Sequence, residues 1–153
     1  MILNESYTAT AAFVKVWSLT VDGNEGGTVE GSSTVDAGVP SLIVATASEC
    51  YRFHNWVGEG ISDVSMPQTT ITVNADTTAT AAFVKVWGLE VTATEGGNAE
   101  GGGTFDSGEE VAIMADPSEG YRFGGWQGEG VADPSSLETT ITVNAETTAQ
   151  ATF

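Results

Sequence analysis

Basic residues are scarce. The 153-residue chain has 4 Lys and Arg against 21 Asp and Glu, a formal net charge of −17 (4 − 21). Such a surface repels phosphate backbones and anionic headgroups, so neither nucleic acid nor a membrane surface is an expected partner. No apolar run approaches the roughly 18 residues a spanning helix needs, so no membrane insertion is expected. The N-terminus lacks the basic start and apolar core of a signal peptide; a secreted form would take its signal from a longer precursor. Cys50 is the single cysteine, which excludes an intrachain disulfide and a multi-cysteine zinc site. His54 is the single histidine. Helical apolar stripes longer than one or two turns are missing as well.

Apolar residues make up 41% of the chain, too many for a disordered acidic tail, and they come in short runs between Gly, Thr, Ser and Asp. That texture is of a folded β protein. Laid against itself, the chain matches at an offset of 70 residues (84 − 14), without gaps, over 14–83 and 84–153, with more than half of the pairs identical. Residues 1–13 align with 71–83, so the chain opens with the tail hairpin of a preceding repeat, followed by two full units. Tandem copies this similar point to a piece of, or a pattern from, a longer array.

Each unit reads as strands. Ala81, Phe83, Trp87, Leu89 and Val91 share one parity, the pattern of a strand with one buried face, and Lys85 interrupts it. The ladder is therefore expected to bend or change partner at Val84–Val86, with Lys15 marking the equivalent junction. Leu42–Ala45 and Ala112–Ala115 are apolar on both parities, which predicts strands covered on both faces. Thr69–Ala75 followed by Thr78–Phe83 reads as a hairpin. The expected fold is mainly β: two small β-rich units, β-grasp-like or sandwich-like, in an elongated array.

Around Gly120-Tyr121-Arg122-Phe123-Gly124-Gly125-Trp126, preceded by an apolar strand and an Ala-Asp-Pro turn and followed by a Thr-rich strand ending in Ala-x-Phe, the sequence resembles the divergent internalin B-repeat modules of bacterial surface proteins. The first copy departs from this at Cys50, His54 and Asn55. The resemblance covers the whole chain, twice over. It implies small β-rich units related to a β-grasp-like fold, in tandem, at the cell surface or outside the cell. It implies no catalytic residues and leaves a ligand unnamed.

The aromatic sets Tyr51, Phe53, Trp56 and Tyr121, Phe123, Trp126 have two readings, a glycan-stacking platform or a repeat core. A unit of about 70 residues has little apolar surface to bury and relies on large aromatics, which favours core. Phe13, Lys15, Trp17 and Phe83, Lys85, Trp87 are the repeat-junction residues, with both Trp as inter-unit packers. Glu59 with Asp63, and Glu129 with Asp133, are acidic pairs in a Gly-rich loop, but their spacing is not that of an EF-hand and a solvated loop is expected. His54 is replaced by Gly124, so a His-based catalytic site would exist in one copy without a supporting motif. Neither enzyme activity nor a cofactor or metal is expected. All four cations, Lys15, Arg52, Lys85 and Arg122, fall at two repeat positions, where each is expected to neutralise a carboxylate or cover an aromatic face. A Lys-to-Asn isopeptide at Lys15 and Lys85 is a chemical alternative.

The expected role is a non-enzymatic structural repeat, a stalk, spacer or fibre subunit; the alternative is an adhesive or carbohydrate-binding module using exposed aromatics. The expected partner is self, by head-to-tail strand addition of residues 1–13 to a neighbour's second unit, or adjacent repeats of a longer chain, with a glycan or surface protein as the other candidates.

Overall fold

The computed structural model describes residues 8–153. Unit 1 is built from β1 (Val16–Gly23), β2 (Gly27–Glu30), β3 (Ser33–Asp36), β4 (Pro40–Ala47), β5 (Tyr51–Val57) and β6 (Gln68–Thr72). Strand β7 (Thr77–Ala93) closes it and runs on into unit 2, which continues as β8 (Gly97–Glu100), β9 (Gly103–Asp106), β10 (Glu109–Pro117), β11 (Gly125–Gln127), β12 (Glu138–Val143) and β13 (Thr147–Thr152). No helix occurs among the described residues, so the sandwich-like form, not a β-grasp, describes the units.

In unit 1 the strands β2, β4 and β6 form one antiparallel sheet. The other sheet contains β5, β7, β1 and β3, and its β1–β7 pairing is parallel. Between the two lies one core: Leu19 and Val21 from β1, Val35 from β3, Ile43 and Ala45 from β4, Trp56 from β5, Ile71 and Val73 at and just beyond β6, and Ala79, Ala81 and Phe83 from β7. Unit 2 repeats this arrangement around Leu89, Val111, Ile113, Ala115, Trp126, Ile141, Val143, Ala149 and Ala151. Burying a large apolar side chain contributes about 1.5–3 kcal/mol, so these alternating inward positions carry each unit.

Two expectations are corrected here. Residues 69–83 are not a hairpin: β6 pairs with β4, whereas β7 pairs with β1 and β5 in the facing sheet. The connection is an arch that carries the chain from one layer to the other. Val73, just past β6, points into the core and draws the chain across. Strands β4 and β10 are covered on one face only, with Ile43, Ala45, Ile113 and Ala115 buried and Leu42 and Met114 exposed. The tail hairpin expected over residues 1–13 lies partly outside the described residues. Its described part, 8–13, is exposed and without strand structure.

Candidate functional site: the junction between the units

The ladder does change partner at Lys85. Along β7, residues 77–81 pair with β1 and 80–85 with β5; residues 86–89 then pair with β9 and 89–93 with β13. Backbone polar groups of a strand alternate between its two edges. On one edge Ala81 O accepts from Asn24 N (3.2 Å) and Lys85 O from Ser107 N (2.9 Å). On the other, Val86 N donates to Cys50 O (2.8 Å), and Gly88 N donates to Glu146 Oε1 (3.1 Å). Each edge thus passes from unit 1 partners to unit 2 partners without a break in β7.

Side chains close the gaps where partners change. Asn24 Nδ2 donates to Phe83 O (2.9 Å) and its Oδ1 accepts from Phe83 N (2.7 Å), reproducing both bonds of a ladder rung. In unit 2 the shorter Thr94 occupies this place, its Oγ1 accepting from Phe153 N at 3.1 Å. The adjacent Gly-Gly turn is shaped by aromatic rings. Tyr51 lies over Gly26 and Phe83 over Gly27, so that a Cβ at either position would clash with the ring. Tyr121 and Phe153 cover Gly96 and Gly97 in the same way.

One ion pair spans the junction. Arg52 of unit 1 meets Asp106 of unit 2 in a bidentate fork, Nε to Oδ1 at 2.6 Å and Nη2 to Oδ2 at 2.5 Å. The hydrogen bond from Arg52, with its charge, holds the Asp106 carboxyl below the usual range against the opposing effect of burial, and the Arg52 guanidinium is correspondingly raised. Glu109 Oε2 accepts from Asp106 N at 3.0 Å, which fixes the carboxylate's strand end. Sequence reasoning overlooked Asp106, although a signal was present. Asp36 and Asp106 share one repeat position as Arg52 and Arg122 share another, so a link between successive repeats was available to find.

Lys15 Nζ and Lys85 Nζ each sit 4.2 Å from the ring centroid of Trp17 and Trp87, respectively. An isopeptide bond would need the amine against an Asn carboxamide; both amines are on indole faces instead. Trp17 packs on the core of unit 1 and Trp87 on that of unit 2, where its Nε1 reaches Ser107 Oγ at 3.3 Å. Phe83 is buried within unit 1, and Phe13 is 94% exposed.

Trp56 and Trp126 are buried at 1% and 5% exposure, and each indole N–H donates to a loop carbonyl at 3.0 Å, Met66 O and Ser136 O respectively. Phe53 and Phe123 pack edge-on or tilted against them. These rings are closed to a stacking sugar. Tyr51 is half-buried, and Tyr121 is the one aromatic of the six classed as exposed. Asp63 and Asp133 cap their own loops: Oδ1 accepts from the N–H and hydroxyl of Ser65 or Ser135 (2.9 and 2.7 Å in both copies). Those bonds hold both carboxyls below their ordinary range. His54 Nδ1 lies 3.5 Å from the guanidinium of Arg52.

Two successive stretches, residues 17–86 and 87–153, match the divergent InlB B-repeat domain. The chain belongs to that family. B-repeats of this kind occur in bacterial surface proteins. No curated protein and no solved structure matches the chain. Both matched B-repeats meet inside β7, between Val86 and Trp87, one residue past the change of partner from β5 to β9.

Proposed function

We propose that these B-repeats are a non-enzymatic spacer or stalk, held outside the cell on a bacterial surface or in a secreted protein. The observation that carries the reading is β7, a 17-residue strand that is the last strand of one repeat and the first of the next. A flexible linker lets domains reorient, but a shared strand with paired edges fixes their relative direction. The Arg52–Asp106 fork adds a second link off the strand axis. The family context supports the extracellular location, and the buried Trp pair disfavours the carbohydrate-binding alternative.

Residual dipolar couplings measured for the two repeats test the idea. Both repeats should report one alignment tensor, and a longer tandem should lengthen by a constant increment per repeat in small-angle scattering. Two independent tensors would sink the spacer reading.

A further inference from the structure

The outward face of the β8–β10–β12 sheet is apolar at its centre and acidic around it. Met114 is 45% exposed there, beside the exposed Ala112, and Thr140 stands opposite Ala112 on β12. Glu100 on β8 and Glu138 on β12 are both in register with Met114, so a carboxylate flanks the thioether on either side. A groove of about 540 Å³ lies over this floor. Its β8 edge is low because a Cβ at Gly101 would clash with the Ala112 carbonyl, which keeps that position free of a side chain. Glu110 and Asp116 extend the acidic margin along β10. Unit 1 supplies the contrast. On the corresponding face of β2–β4–β6 the one carboxylate is Glu30; Pro40, Thr46 and Gln68 stand where unit 2 has Glu110, Asp116 and Glu138, and Leu42 stands for Ala112. Three replacements thus add like charge to one face, and neither sheet holds a Lys or Arg. Among the described residues no ion pair relieves it. The face is also open within a continuous array. Unit 1, with a repeat after it, leaves Leu42 54% exposed, and unit 2, with a repeat before it, leaves Met114 exposed.

We propose that this groove docks an extended basic peptide, a segment of another protein with Lys or Arg at alternate positions. Charge complementarity selects the occupant. Glu100 and Glu138 are two strand spacings apart, about 9.5 Å, with Met114 between them, so they are spaced for two cations rather than for one hard metal ion. A thioether also offers such an ion little. An extended segment projects alternate side chains from one face about 7 Å apart, so two basic residues reach both carboxylates while their aliphatic stems cover Met114 and Ala112. The flexible Met114 side chain adapts to those stems. The surface uses one sheet of one unit and does not depend on the spacer reading, which it extends from holding to binding.

The test titrates the 153-residue chain into a dye-labelled Gly-Arg-Thr-Arg-Thr-Arg-Gly peptide at low and moderate salt, read by fluorescence anisotropy. Saturable one-to-one binding is expected, weakening as salt is added. Glu100→Gln with Glu138→Gln weakens it by at least about tenfold in Kd, and Ala112→Leu, which gives the groove unit 1's larger side chain, also weakens it. Removing two charges elsewhere, Glu49→Gln with Glu59→Gln, changes Kd by less than about twofold at moderate salt. All five positions are exposed, so the fold is kept. The Met114 and Ala112 methyl resonances shift on binding. Absence of saturable binding, equal loss in the two double variants, or unmoved Met114 and Ala112 methyls overturns the proposal. So does displacement of the peptide by micromolar spermidine or calcium, which assigns the groove to a small cation, or dimerisation of the free chain through this face, which assigns it to a second copy.

Discussion

Tyr-Arg-Phe occurs twice and adopts two conformations. In unit 1, Tyr51–Phe53 are the first half of β5, paired with Phe83–Lys85; in unit 2, Tyr121–Phe123 lie outside any strand although the rest of the unit is built alike. Both tyrosines still cover a turn glycine, and Phe123 still packs against Trp126, so the side-chain environment is largely kept while the ladder is not. What differs is the neighbour. In unit 1, β7 runs on past Phe83, and Val84 and Lys85 give Arg52 and Tyr51 their rungs; β13 pairs only with Gly125–Gln127. A strand here is a property of a pair rather than of a segment.

The harshest probe of this comparison is removal of the two central indoles. Trp56→Ala and Trp126→Ala should each cost about 3–5 kcal/mol in their own unit. The consequences differ: loss of unit 2 also strips β5 of the anchored partner for its first half, so Trp126→Ala should speed amide exchange at Tyr51–Phe53. Trp56→Ala should leave β11 as it is. Equal, purely local effects in hydrogen exchange would mean the repeats are independent. A gentler intervention works in the opposite direction. Appending Val-Lys-Val after Phe153 should convert Tyr121–Gly124 to strand and slow their exchange by an order of magnitude or so; unchanged exchange would place the cause in Gly124 and Gly125 instead.

Cys50 sharpens the comparison at one residue. It has φ 63°, the left-handed region, where unit 2 has Gly120 at 88°. A side chain there costs about 1–2 kcal/mol, and glycine's freedom in the unfolded chain returns about 0.4–1, so Cys50→Gly should stabilise unit 1 by roughly 0.5 kcal/mol. A lower melting temperature would count against a strained Cys50. The smallest effect concerns the fork. Both side chains are substantially exposed, 44% and 34%, so solvent screening limits the pair and Arg52→Gln should cost only about 0.5 kcal/mol, with Arg122→Gln nearly silent. Asp106 is lower in pKa when folded than unfolded. Its contribution is therefore complete above the unfolded value of about 4 and disappears as pH falls through the folded one. The parent should lose this increment in acid, and Arg52→Gln should show a flatter stability profile below pH of about 4; superimposable profiles would remove the fork from the account.

Much of this was legible in the residues, and for a local reason. Gapless self-similarity and the parity of Ala81, Phe83 and Leu89 are written along one segment, as is the interruption at Lys85. The partner change there was therefore readable. Thr69–Phe83 was not, because two Thr-rich runs around a tight turn look the same whether they pair or arch between layers; the decision belongs to Val73 and the core it enters. Leu42 and Met114 misled for a related reason. Apolarity on both parities marks a strand that tolerates cover, while cover itself depends on what packs outside, and among the described residues no element does. At the junction the Arg position stood out but its carboxylate did not, since one Asp among so many acids gains meaning only from the strand that brings Asp106 opposite Arg52.

The parallel pairings have a mechanical consequence. In unit 1 the entering strand β1 and the leaving strand β7 run side by side in the same direction, and in unit 2 the same holds for β7 and β13. Tension applied to the two ends of either repeat therefore slides neighbouring strands past each other, loading five registered positions at once instead of unzipping them singly. Because β7 belongs to both pairs, the load passes from repeat to repeat along covalent backbone. We predict that optical-tweezer pulling through the termini requires a much larger rupture force than pulling through cysteines placed at Asp36 and Asp76, in a Cys50→Ser background; equal forces would refute shear loading. Resistance to rupture is governed by the unfolding barrier, so a stalk of this design can hold under strain even if each repeat is only modestly stable at equilibrium.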